Sequence, residues 1–141
     1  MPHQHLLVKR DDAITTITLN RPEKRNALAL DVMVELTGAL REVGDSDALG
    51  VILAANGPVF SAGHNFGDMR GADLSEARRL FQICTAMMDA VQEIPQPVVA
   101  KVHALATTGG GISWTASIMA MHTWNSRRAA DRSAPSRSPK L

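Results

Sequence analysis

The 141-residue chain is poor in several things at once. It has one cysteine, no tyrosine, and only 4% aromatic residues. A single thiol, Cys84, excludes an internal disulfide, and a lone Cys in a helical stretch is commonly a small core residue. No apolar run approaches the ~20 residues needed to span a bilayer, so no membrane segment is expected. The opening stretch MPHQHLLVKRDD has no long apolar segment after a basic one. A secretory signal is therefore not expected, and the single thiol suits a reducing cytoplasm. Net charge is only +1, but it is unevenly spread. Residues 122–141 carry Arg127, Arg128, Arg132, Arg137 and Lys140 against Asp131. A basic tail can touch nucleic acid or an anionic surface, but no aromatic residue is interleaved with these charges. The expectation is a solvated tail, with no nucleic-acid and no membrane partner.

What is present is enough for one domain. The composition is 45% hydrophobic and 21% charged, which permits a buried core. Residues 5–10 and 13–19 read as two strands joined at Asp11-Asp12; the second is rich in β-branched residues. The stretch from Asn20 to Asn26 is polar, contains Pro22, and reads as a loop. From about Leu30 the period becomes helical, with Met33, Leu36, Leu40 and Val43 on one face and Gly44 as a stop. Residues 49–55 form an apolar run that suits a strand buried on both faces, as in a parallel sheet. Asp73-Leu74-Ser75-Glu76 has the form of a capping box. Leu80, Ile83, Met87, Val91 and Ile94 continue that helix up to Pro95. Residues 97–103 read as another strand, leading into Gly109-Gly110-Gly111. Strands alternating with helices predict α/β layering. No internal repeat is present.

Two loops rich in small residues follow predicted strands. One is PVFSAGHNF, from Pro58 to Phe66; the other is the glycine turn after Ala106. Ligands of open α/β sheets collect at the carboxyl ends of the strands, so the two loops are expected to face one pocket. Small residues let a ligand approach the backbone. Other readings are open at this point. His64 also suits a general base or a metal ligand. The glycines also suit a plain connector, and Lys24 and Arg25 also suit ordinary surface charges.

Three segments, in order, resemble the enoyl-CoA hydratase/isomerase (crotonase) superfamily over about residues 5–111. They are TLNRPEKRNAL, GPVFSAGHNF and PQPVVAKVHALATTGGG. The HALAT wording is similar to the branch of enoyl-CoA hydratase domain-containing proteins. The resemblance implies an α/β crotonase-like ββα spiral that binds an acyl-CoA, needs no separate cofactor and no metal, and assembles as a homo-oligomer built on trimers. It implies that the His64 N–H is one oxyanion donor and the Gly109 N–H the second, with Gly110 the alternative if the register shifts by one. It implies further that Lys24 and Arg25 meet CoA phosphates, and that Ala27 and Leu28 lie on the pantetheine side. Ala62, Gly63, Asn65 and Phe66 complete the first loop, with Ala62 lining the adenine and pantetheine channel through its backbone. The physical logic is that two fixed N–H groups stabilise the enolate oxygen more than the ground-state carbonyl. Each donor is worth about 3 kcal/mol in comparable oxyanion holes.

The sequence also departs from the family pattern. Hydratases of this superfamily use two glutamates, the first just after the glycine turn. Ile112 occupies that position here, and no carboxylate lies between Glu93 and Asp131. Asn65 stands where the first loop usually has Asp. The text after Gly111 is Ser-, Arg- and Pro-rich and unlike the family. The expectation is a crotonase-like portion over 1–111, truncated or frame-shifted, followed by a disordered basic tail over 112–141. An alternative frame in the coding DNA that restores family-like text would identify the frame shift. Hydratase activity is expected to be weak or absent.

Overall fold

A computed structural model describes residues 3–65, 67 and 70–106. The expectations about Phe66, Gly109, Gly110 and the tail lie outside the described residues. The chain begins with a hairpin, β1 (Leu6–Asp11) and β2 (Ile14–Leu19). Asp11 pairs with Ile14, so the turn is Asp12-Ala13, one residue later than expected from the sequence. Asp12 takes φ of 53° there, a left-handed conformation that Asp tolerates better than most residues. A single 3-10 turn, Pro22–Lys24, leads to helix α1 (Leu30–Gly44). Then come β3 (Gly50–Ala55), helix α2 (Leu74–Glu93) and the short β4 (Val98–Ala100).

The four strands form one mixed sheet in the order β1-β2-β3-β4. Only the hairpin is antiparallel; β2–β3 and β3–β4 are parallel. Each parallel pair is joined through a helix, and both crossovers step the same way along the sheet. Right-handed crossovers then place α1 and α2 on the same face. The core fits that layering: Ile17, Leu19, Val51 and Leu53 of the sheet are buried with Met33, Leu36 and Leu40 of α1 and Met87 of α2.

This arrangement corrects one expectation. β3 is not buried on both faces. Val51 and Leu53 are buried, whereas Ile52 and Ala54 are only half-buried. The reason is that both helices cover one face. The apolar composition of β3 reports its parallel neighbours, while the layering decides its burial. The fourth strand is also shorter than expected, ending at Ala100. The chain leaves the ladder beyond it and turns toward the loop after β3.

Helix α2 starts where the sequence places it. Asp73 Oδ1 accepts from the backbone N–H groups of Ser75 (2.8 Å) and Glu76 (2.9 Å), and Glu76 Oε2 accepts from the Asp73 N–H at 2.9 Å. These reciprocal bonds satisfy donors that the helix start otherwise leaves open. The Glu76 N–H, followed by the Ser75 hydroxyl and N–H, holds the Asp73 carboxyl below its ordinary range. At the far ends of α1 and α2 a cleft of about 270 Å³ lies between Arg41, Asp45, Glu93 and Pro95. It shares no residue with the loops considered next.

Candidate functional site

The segment after β2 and the loop after β3 are tied into one unit by buried polar groups. The first tie is Asn26, which is 2% exposed. Its Oδ1 accepts from the Arg21 N–H at 2.9 Å, and its Nδ2 donates to the carbonyls of Asn56 (2.7 Å) and Val59 (3.1 Å). Arg25 and Asn26 are both left-handed, with φ of 53° and 50°. Such pairs are uncommon outside glycine, and Asn is among the residues that accept the conformation. Asn26 thus reverses the chain and pins both ends of the turn at Asn56 and Val59.

The second tie is Ser61, which is fully buried. Its hydroxyl donates to the Asn26 carbonyl at 2.8 Å and accepts from the Gly63 N–H at 3.1 Å. Replacing Ser61 with Ala leaves both of those backbone groups buried and unpaired. The expected cost is about 1–3 kcal/mol, read as a lowered urea midpoint with unchanged slope. A Ser61→Ala chain as stable as the wild type would show that these bonds do not hold the loop.

The third tie is backbone pairing. Ala62 N–H donates to the Arg25 carbonyl at 2.9 Å. Leu28 N–H donates to the Gly63 carbonyl at 2.8 Å, and Asn65 N–H donates to the Leu28 carbonyl at 3.3 Å. Together these make a parallel bridge between Leu28 and His64. In such a bridge the flanking residues bond to the partner strand, so the N–H of the central residue points the other way. The His64 N–H accordingly has no acceptor among the described residues. Gly63, with φ of 81°, sets the turn that delivers His64 to this position.

On its other side the loop meets the segment after β4. Phe60 N–H donates to the Leu105 carbonyl at 2.9 Å, and Ser61 forms a parallel bridge with Ala106. Phe60 is fully buried and anchors the loop to the core. His103 Nε2 donates to the Gly57 carbonyl at 2.8 Å, fixing the loop's start. The loop is therefore held between two segments, and the chain that leads to the glycine turn runs beside it.

The structure brings together most of the residues singled out from sequence. Lys24 and Arg25 are exposed on the 3-10 turn and at its cap, and no ion pair engages either of them among the described residues. Ala27 is half-buried beside them. Leu28 is 1% exposed with both backbone groups bonded to the loop, so its place is as a tie. Asn65 turns back on itself, its Oδ1 accepting from the Gly67 N–H at 3.1 Å. No group of three or more metal-ligating side chains occurs among the described residues.

Sequence reasoning missed three residues. Asn26 reads only as the end of a polar loop, and Ser61 only as one of the small residues of the loop after β3. Cys84, on α2, places its Sγ 3.6 Å from His64 Nε2. Burial pushes the Cys84 thiol above its ordinary range. A pairing of Asn at a left-handed turn with Ser ahead of an Ala-Gly pair is the signal available for the first two. Nothing local signals the third.

An α/β sheet with both helices on one face, and a loop whose central N–H is turned out between two cross-tied segments, defines a crotonase-type protein. The chain belongs to the enoyl-CoA hydratase/isomerase family: the family profile described as Enoyl-CoA hydratase/isomerase matches residues 9–121. It is 39% identical over 106 residues to enoyl-CoA hydratase domain-containing protein 3, mitochondrial, of Danio rerio, covering 74% of this chain and 37% of that protein. It is 38% identical over 104 residues to the probable enoyl-CoA hydratase echA6 of Mycobacterium tuberculosis, covering 73% of this chain and 40% of that protein. Among solved structures, human enoyl Coenzyme A hydratase domain-containing protein 3 superposes with a TM-score of 0.70 at 32% identity, covering 73% of this chain and 42% of that one. The enoyl-CoA hydratase of Mycobacterium smegmatis superposes with a TM-score of 0.68 at 37% identity, covering 70% of this chain and 40% of that one. The chain thus spans about two fifths of the length of these relatives.

Proposed function

We propose that this chain binds a CoA thioester and stabilises the enolate form of its carbonyl with backbone N–H groups. The observation that carries the reading is the outward-turned His64 N–H in the Leu28–His64 bridge. An enolate oxygen gains negative charge relative to the thioester carbonyl, so a fixed donor favours it selectively. The second donor comes from the glycine turn, at Gly109 or Gly110. The Ser61–Ala106 bridge supports this, because it starts the segment leading to that turn beside the loop. Lys24 and Arg25 meet the CoA phosphates, with Ala27 and the Ala62 backbone along the pantetheine arm. CoA enters as part of the substrate, and the chemistry calls for no metal and no separate cofactor. The working form is a homo-oligomer in a reducing compartment such as the cytoplasm.

The family-level reaction is hydration or isomerisation of an enoyl-CoA. A second reading, a non-catalytic acyl-CoA-binding module, is favoured by one specific observation: no carboxylate lies between Glu93 and Asp131 to activate water. Calorimetric titration of the full chain tests the binding both readings share. Acetoacetyl-CoA, an enolate-like thioester, is expected to bind more tightly than free CoA. Equal affinity in a folded sample would remove the oxyanion role from His64. Turnover of crotonyl-CoA at an enzyme-like rate of roughly 1–1000 per second would overturn the binding-module reading.

A further inference from the structure

The residue that turns its N–H toward the thioester site also carries an imidazole, and that ring is paired with a thiol. His64 Nε2 lies 3.6 Å from Cys84 Sγ, across a contact between the loop and α2. Its other nitrogen, Nδ1, is buried and has no partner. Among the described residues Cys84 is the ring's one hydrogen-bond partner, and no carboxylate bonds to the ring. A thiol becomes a useful nucleophile when a base in contact takes its proton. Burial raises the Cys84 pKa above its ordinary value and so favours the thiol over the thiolate, and Nε2 is the base in contact with it.

We propose that Cys84 adds covalently to 2-enoyl-CoA thioesters, with His64 supplying both the base and the oxyanion donor. This rests on the reading that the His64 N–H holds the thioester oxygen. The substrate is an α,β-unsaturated thioester, whose C3 is electrophilic because its C2=C3 bond is conjugated with the carbonyl. As Sγ bonds to C3, Nε2 takes the thiol proton. The C2=C3 π pair moves to C2 and onto the thioester oxygen, giving the enolate at the His64 N–H. The imidazolium then returns the proton to C2. One S–C3 bond and one C–H bond form, while the S–H bond and the C2=C3 π bond are lost. Nothing leaves, and no oxidant or reductant enters. The product is a thioether-linked acyl-CoA on Cys84, and reversal of the same steps releases the enoyl-CoA.

The test is intact-mass spectrometry of the full chain with crotonyl-CoA, followed by peptide mapping, alongside calorimetry with saturated butyryl-CoA. The expected result is a mass gain of one whole crotonyl-CoA on Cys84, and none with butyryl-CoA. Cys84→Ser, nearly isosteric, is expected to lose the adduct entirely. His64→Asn, which keeps the backbone N–H, is expected to slow adduct formation by about a hundredfold. Binding of butyryl-CoA without any mass gain from crotonyl-CoA would overturn the covalent step and leave the binding function standing. An unchanged rate in His64→Asn, or equal labelling by a small enone lacking CoA, would overturn the assigned roles. Failure of either thioester to bind would overturn the binding function and this inference together.

Discussion

Asn26→Leu is expected to lower the stability of the chain by about 3–5 kcal/mol. The side chain is buried and makes three hydrogen bonds to backbone groups, at Arg21, Asn56 and Val59. Leucine has the same branching and the same number of side-chain heavy atoms but offers no polar atom. Each orphaned buried group costs about 1–3 kcal/mol, softened where water can enter. A branched apolar residue at φ of 50° adds about 1 kcal/mol of backbone strain. Whole domains hold only about 5–15 kcal/mol, so the loss is a large share. Urea denaturation followed by circular dichroism checks it. Asn26→Asp separates the causes: it keeps the acceptor for Arg21 and the tolerance of a left-handed backbone, but loses both donors. If the donors dominate, Asp is nearly as damaging as Leu; if backbone conformation dominates, Asp is close to wild type. A Leu variant within about 0.5 kcal/mol of wild type would show that the tie is dispensable.

The elements that sequence reads well are those fixed by local physics. The α2 start follows from Asp73 and Glu76 three residues apart, and the α1 face follows from the spacing of Met33, Leu36, Leu40 and Val43. The β-branched run of β2 likewise needs no distant partner to be strand-prone. The candidate loop is legible because small residues beside an apolar run already imply close approach to backbone. What sequence does not carry is the far end of each long-range contact. Asn26 finds its acceptors 30 and 33 residues away, and Ser61 finds the Asn26 carbonyl 35 residues back. Any of the neighbouring polar side chains is an equal candidate until the turn is built. Cys84 meets His64 only because α2 folds back over the loop, across 20 residues of chain. The burial of β3 is illegible for a related reason: the run fits either one or two covering layers, and the side taken by both crossovers decides between them.

His64→Pro is expected to abolish the preference for an enolate-like thioester, while His64→Ala keeps it. Proline is the substitution that deletes a backbone donor, since its nitrogen carries no hydrogen. The bridge to Leu28 uses the Gly63 carbonyl and the Asn65 N–H, so neither of its bonds requires the His64 N–H. Losing one donor from an oxyanion hole costs about a hundredfold or more. The expected readout is therefore a fall of that order in affinity for acetoacetyl-CoA, with affinity for free CoA little changed, because the proposed phosphate contacts, Lys24 and Arg25, are untouched. Alanine removes the imidazole and its contact with Cys84 but leaves the donor in place. The pair of variants thus assigns the thioester preference to backbone or to ring. Weak binding by both variants, with folded far-ultraviolet spectra, would assign it to the ring. Equal binding by both would place the enolate oxygen elsewhere. A fall in Pro alone fits the local geometry, in which three cross-tied segments serve to hold one amide hydrogen in a fixed direction.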